Sequence, residues 1–209
     1  MRVTFTREEM VRQLRHLGIR DARVLEAMGR VPREEFVRDE DREVAYGDHA
    51  LPIAEGQTIS QPYVVAWMTE LLDVRPTHHV LEVGTGSGYQ AAVLAELARD
   101  VVSVERHRAL ADAARERLAR LGYHTVRVIH DDASMGRPED APYDRVIVTA
   151  AAPAIDPALT AQLADDGRLV APVGDAEMQE LVVRDAHGRE ERHGSVRFVP
   201  LRGQAGFRQ

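Results

Sequence analysis

The sequence contains no cysteine. That excludes disulfides, thiolate metal sites and a cysteine nucleophile, and no metal is expected. Nor does any stretch approach the roughly 18 apolar residues of a membrane-spanning helix. The segment from Met1 to Glu9 carries Arg7, Glu8 and Glu9 where a secretory signal needs an apolar run, so the expected location is the cytoplasm. An excess of positive charge is also missing. A formal net charge of −7 argues against a duplex nucleic-acid binder, whose affinity comes from basic groups that displace phosphate counterions, and against an anionic membrane. The same charge gives no help to a carboxylate ligand, which local donors would have to hold.

What is present is an ordinary globular composition, with 44% hydrophobic and 29% charged residues in a chain of 209. Such a chain buries one substantial core, and we read it as a single domain. Thr6 and Glu9 form a capping-box pattern ahead of Met10, Leu14 and Leu17, with Gly18 placed to end the helix. A second short helix follows Asp21, and Val31-Pro32-Arg33 breaks the pattern. Asp39 to Gln61 is polar and irregular, and long irregular segments in compact domains are usually functional. Pro62 suits the first turn of a helix carrying Val64, Val65, Met68, Leu71 and Leu72.

From residue 80 strands and helices alternate. Strands are expected at Val80–Val83, Val101–Glu105, Val126–Ile129, Arg145–Thr149 and Leu169–Val173, with helices at Gly88–Leu97, Leu110–Leu121 and Ala158–Leu163. Leu181–Arg184 and Val196–Leu201 flank a polar stretch and resemble an antiparallel hairpin. The expected fold is α/β: a doubly wound, mostly parallel sheet with a C-terminal antiparallel hairpin and an N-terminal helical cap.

The segment Glu82-Val83-Gly84-Thr85-Gly86-Ser87-Gly88-Tyr89 lies where the first of these strands meets its helix. Ligands bind at such carboxyl ends, near the point where strand order reverses. Glycines there permit positive φ and close approach of backbone to ligand. A dinucleotide fold needs glycine or alanine where Tyr89 stands. The spacing of Gly84, Gly86 and Gly88 after Glu82 instead resembles the first motif of class I S-adenosylmethionine methyltransferases. Glu105, at the end of the next strand, has only acceptors and suits a ribose diol. Asp132 follows the third strand, where the same family pattern meets the adenine edge. Each feature also has a plainer explanation: a steric glycine turn, a solvated strand end for Glu105, a helix cap for Asp132.

The acceptor is read from other segments. Ala45-Tyr46-Gly47-Asp48, Leu51-Pro52-Ile53 and Gly56-Gln57-Thr58-Ile59-Ser60-Gln61-Pro62 resemble, nearly residue for residue, the N-terminal signature of the protein-L-isoaspartate O-methyltransferase family. Val31-Pro32-Arg33-Glu34, Ala141-Pro142-Tyr143-Asp144-Arg145, Thr149-Ala150-Ala151-Ala152-Pro153 and Val196-Arg197-Phe198-Val199-Pro200-Leu201 extend the resemblance over nearly the whole chain.

The resemblance implies a Rossmann-like core at residues 76–209 and a cap with the substrate segment at 1–75. It implies S-adenosyl-L-methionine as donor, with S-adenosyl-L-homocysteine as product, and methylation of isoaspartyl peptides and proteins by a monomer. By the same resemblance Ser60 is the active-site hydroxyl; Thr58, Ile59, Ser60, Glu82, Gly84, Thr85, Gly86, Ser87, Glu105, Asp132 and Ala133 surround the donor. Thr58, Ile59 and Ser60, with Val199, Pro200 and Leu201, meet the peptide. A serine before Gln61-Pro62 is otherwise simply an N-cap for the following helix.

Two positions depart from the family pattern. Asp131-Asp132-Ala133 stands where Gly-Asp-Gly is common, and Arg202 stands where a small hydroxyl residue is common. Arg202 would either offer a forked donor to an anionic substrate or extend into solvent. The rival readings are an aspartyl-peptide methyltransferase, a nicotinamide-dependent oxidoreductase and a non-catalytic donor-binding module.

Overall fold

The computed structural model describes residues 4–207. Thr6 opens α1 (Arg7–His16) as expected: its hydroxyl accepts from the Glu9 amide at 3.2 Å, and the Glu9 carboxylate accepts from the Thr6 amide at 2.8 Å. Met10 and Leu14 form the buried face, and Gly18, at φ +111°, ends the run. Asp21 caps α2 (Ala22–Arg30) by accepting from Arg23 N at 2.8 Å. The irregular stretch then folds as 3₁₀ turns and a small antiparallel pair, β1 (Leu51–Pro52) with β2 (Thr58–Ile59), before α3 (Pro62–Leu72) begins at its proline.

Seven further strands form one sheet: β3 (His79–Val83), β4 (Asp100–Glu105), β5 (Val126–His130), β6 (Tyr143–Val148), β7 (Leu163–Gly174), β8 (Gln179–Asp185) and β9 (Glu190–Val196). Their order is β5-β4-β3-β6-β7-β8-β9. The first five pair in parallel, and β8 and β9 turn back antiparallel. Helices α4 (Tyr89–Ala95) and α5 (Arg108–Arg120) make the crossovers on one side of β3; α6 (Pro157–Thr160) lies between β6 and β7. The chain reverses direction across the sheet between β3 and β6, which opens a crevice at their carboxyl ends.

The strands alternate as a sheet covered on both faces requires. Val80, Val101 and Ile147 face a cluster that includes α1, α2 and α3, whereas Leu81, Val102 and Val146 face a second cluster containing Ile155 and Leu159.

Three expectations need correction. The helix at Ala158–Leu163 shrinks to the four residues of α6, and β7 begins at Leu163, six residues before Leu169. Leu163 already pairs with Tyr143, and a register shift between Tyr143 and Arg145 absorbs the irregularity. The last strand is β9 at Glu190–Val196, not Val196–Leu201. β9 is polar and largely exposed on the sheet edge, so apolar patterning gave no sign of it. Its turn is set by Asp185, whose Oδ1 accepts from His187 N at 3.0 Å and Arg189 N at 2.9 Å. Residues 197–201 leave the ladder and run beside Ala151 instead.

Arg33 joins the cap to the sheet. It is fully buried, donates from Nε to the Ala45 carbonyl at 2.7 Å and from Nη2 to the Ser60 carbonyl at 2.8 Å, and lies 4.7 Å from the centre of the Tyr89 ring. Removing it leaves two carbonyls without donors and a void against Tyr89. Arg33→Ala is expected to cost roughly 2–4 kcal/mol in urea unfolding; an unshifted midpoint would mean that the clamp is not structural.

Candidate active site

At the carboxyl end of β3 the chain must turn sharply into α4, and three glycines permit it. Gly84, Gly86 and Gly88 have φ of +98°, +53° and +89°, values that side chains disfavour. Gly84 has a second reason: a Cβ there would lie 2.5 Å from Thr149 Oγ1, at the end of the neighbouring strand β6. Thr149 in turn donates its amide to the Val83 carbonyl at 2.9 Å. The loop is held from the other flank by Glu105, at the tip of β4. Its Oε2 accepts from Gly86 N at 2.9 Å and its Oε1 from His107 N at 2.8 Å.

The cap supplies the opposite wall. β1 and β2 pair Leu51 with Ile59 and Pro52 with Thr58, and the turn between them places Glu55 and Gly56 at φ +56° and +65°. Glu55 reaches His107 at 3.7 Å, and Ile53 packs over Gly86. Ser60 follows. It is not the cap of α3: Gln61 occupies that position without a side-chain hydrogen bond, and Asp48 does the capping from outside by accepting from Tyr63 N at 2.8 Å. The Ser60 hydroxyl has no hydrogen-bond partner among the described residues and is free to donate to a ligand.

These walls line one cleft. Thr58, Ile59 and Ser60 line it from the cap; Gly84, Thr85, Gly86 and Ser87 from the loop; Glu105 from β4; and Val199, Pro200 and Leu201 from the segment after β9. Three sequence-derived candidates stand apart. Glu82 lies beneath the loop, and Asp132 faces the C-terminal segment, so neither lines the cleft. Ala133 opens a 3₁₀ turn, but its side chain lies outside the described residues.

Several lining residues were not singled out as site residues from the sequence: Gln57, Arg106, His107, Ser134, Thr149 and Phe198. Arg106, His107 and Thr149 sit just past strand ends, a signal that the carboxyl-end rule offers. Phe198 and Ser134 come from irregular backbone and carry no comparable signal. Arg202 lines the cleft and is half-buried.

Tyr89 fills the place where a dinucleotide loop needs a small residue. It is fully buried, packs edge-on against Phe36 with ring centres 5.5 Å apart, and docks the cap onto α4. A doubly wound sheet with this glycine loop on its first parallel strand and a carboxylate at the tip of the next is a methyltransferase core of the class I, S-adenosylmethionine-dependent kind.

Comparison with known proteins narrows the class. A family model described as protein-L-isoaspartate(D-aspartate) O-methyltransferase matches residues 5–206. The protein-L-isoaspartate O-methyltransferase of Methanoculleus marisnigri is 56% identical over 205 residues, covering 96% of this chain and 93% of its own. Among solved structures, one described as a protein-L-isoaspartate O-methyltransferase is 28% identical with a TM-score of 0.86, over 96% of this chain and 67% of that one. A Plasmodium falciparum structure described in the same terms, in complex with S-adenosyl-L-homocysteine, is 25% identical with a TM-score of 0.83, over 95% and 99%. The chain belongs to the protein-L-isoaspartate(D-aspartate) O-methyltransferase family.

Glu82 has its own electrostatic role. It is fully buried, accepts a short hydrogen bond from the Ser103 hydroxyl, and leaves Oε1 without a partner. Ser103 Oγ lies 2.5 Å from Thr85 Oγ1, which ties this group to the loop. Burial pushes the Glu82 carboxyl up to about 8; the Ser103 hydrogen bond opposes this and the Glu105 charge adds to it. At neutral pH the group is therefore mostly protonated. In the unfolded chain it ionises near 4.5, so between about pH 5 and 8 the unfolded state holds fewer protons and stability falls as pH rises. Glu82→Gln should remove this downward slope from thermal unfolding measured across that window. An identical slope in both proteins would show that Glu82 ionises normally.

Proposed function

We propose that the chain transfers a methyl group from S-adenosyl-L-methionine to the free α-carboxylate of L-isoaspartyl residues in damaged peptides and proteins, which opens their repair through a succinimide. The observation that carries this reading is the placement of Thr58-Ile59-Ser60 across one cleft from the glycine loop and Glu105. The residues fit the donor. Glu105 is nearly buried beside apolar Val104 and offers only acceptors, which matches a diol, and the positive-φ backbone of Gly84 and Gly86 leaves room for close contact. When bound, S-adenosyl-L-methionine supplies an electrophilic methyl group on a sulfonium.

The chain's own work is positioning. An isoaspartyl α-carboxylate is already ionised at neutral pH, since such groups titrate near pKa 3.5, so no general base is required. Ser60 donates one hydrogen bond that orients the carboxylate without neutralising it. Arg33, through the Ser60 carbonyl, keeps that residue from drifting. The walls from Ile59, Val104 and Leu201 exclude water, so the opposite charges meet in a poorly hydrated space. Alignment of this kind contributes on the order of 7–11 kcal/mol in favourable cases. The reading assigns residues 1–75 to the acceptor and 76–209 to the donor within one domain. It also takes the chain as a cytoplasmic monomer with no nucleic-acid partner.

Ser60→Ala should lower turnover on an isoaspartyl peptide roughly tenfold to a hundredfold, the worth of one hydrogen bond to a charged group, with donor affinity unchanged by calorimetry. Full activity would remove Ser60 from the mechanism. Glu105→Ala should weaken donor binding by about 1.5–3 kcal/mol, and equal affinity would refute its role. The reading as a whole is tested by methyl incorporation into matched isoaspartyl and aspartyl peptides: only the first should be labelled, and equal labelling defeats it.

A further inference from the structure

Beyond Val196 the β9 ladder ends, and the residues that follow become a wall of the cleft, which Phe198, Val199, Pro200 and Leu201 all line. This wall is the part of the site that the functional reading gives to the acceptor peptide. Its far end is pinned to the sheet, because Ala151 donates to the Val199 carbonyl at 2.8 Å and accepts from Leu201 N at 2.7 Å. Its near end lies outside the ladder, since Gln179, the partner of Val196, is the first residue of β8. The Phe198 amide is nevertheless satisfied. The side chain of Gln179 reaches past its own strand and accepts from Phe198 N at 2.8 Å through Oε1.

Gln179 is itself 1% exposed, and a buried carboxamide must use both of its ends. Nε2 donates to the Asp175 carbonyl at 2.6 Å, in the turn between β7 and β8. That turn is closed by its own side chain: Asp175 Oδ1 accepts from the amides of Glu177 and Met178, both at 2.8 Å. The two partners also fix which way the carboxamide faces, because a carbonyl needs its N–H and an amide needs its oxygen. We infer that Gln179 is a positioning residue for the acceptor peptide: its side chain couples the β7–β8 turn to Phe198 and so sets where residues 198–201 stand in the cleft. The inference rests on the reading of this wall as the acceptor's. Gln179 does not line the cleft, so it acts through Phe198 and touches neither peptide nor donor.

Gln179→Met keeps the length of the side chain and removes both hydrogen bonds. KM for an isoaspartyl peptide should rise roughly fivefold to tenfold, the worth of about one hydrogen bond, while kcat at saturating peptide and donor affinity by calorimetry stay within about twofold of the unaltered protein. Exchange of the Phe198 amide should accelerate. A role in folding alone would lower the active fraction, and with it kcat, and leave KM in place; that result overturns the inference, as does a donor affinity that falls in step with the peptide's. Asp175→Ala approaches the same coupling from the exposed turn and should raise the peptide KM in the same direction, by roughly twofold to threefold. If Gln179→Met fails to fold, Asp175→Ala decides, and an unchanged peptide KM there overturns the inference. If the unaltered protein methylates no isoaspartyl peptide at all, the functional reading fails and takes this inference with it, an outcome seen without any variant.

Discussion

Arg33 grips the Ser60 carbonyl on one side and lies against the Tyr89 ring on the other, so the acceptor segment and the glycine-loop helix are fixed to one guanidinium. Burying a cation without a carboxylate against it is costly, and burial lowers its pKa, with the neighbouring tyrosines and Asp48 acting in the opposite direction. The cost is tolerable because two carbonyl oxygens and an aromatic face replace much of the lost hydration. The consequence is geometric. The cap cannot shift relative to α4 without breaking this contact, and the distance across the cleft is thereby set.

Charge at the site is distributed in a way that the net charge of the chain conceals. Of the two carboxyls nearest the glycine loop, the one beneath it is mostly neutral at physiological pH because it is buried. Glu105 is left as the acceptor facing the cleft, with its oxygens already organised by the Gly86 and His107 amides. The Ser60 hydroxyl and the cations Arg106 and Arg202 line the same space. Local donors thus stand at the cleft of a chain whose net charge is negative.

Much of this was legible in the residues. The capping box at Thr6, the proline start of α3, the first four parallel strands and the glycine loop all follow from short-range rules, and each stands where it was expected. The departures share one cause. β9 is polar and pairs with β8 through its backbone and through charged pairs such as Arg192–Glu180, and the first half of β7 is drawn into the sheet by Tyr143 despite its aspartates. Pairing of polar segments leaves no trace in apolar side-chain pattern.

The amino-acid order by itself determined the element types, the loop that must approach a ligand and the family to which the chain belongs, because propensity, periodicity and motif spacing are local properties. Only the tertiary structure decided that Ser60 is relieved of capping by Asp48, that Glu82 is hidden and largely uncharged, and that Asp132 turns to residue 204 rather than into the cleft. Each of these depends on a partner 15 to 72 positions away or on burial from several elements at once. Burial and long-range hydrogen bonding are made by packing, and a linear pattern does not record them.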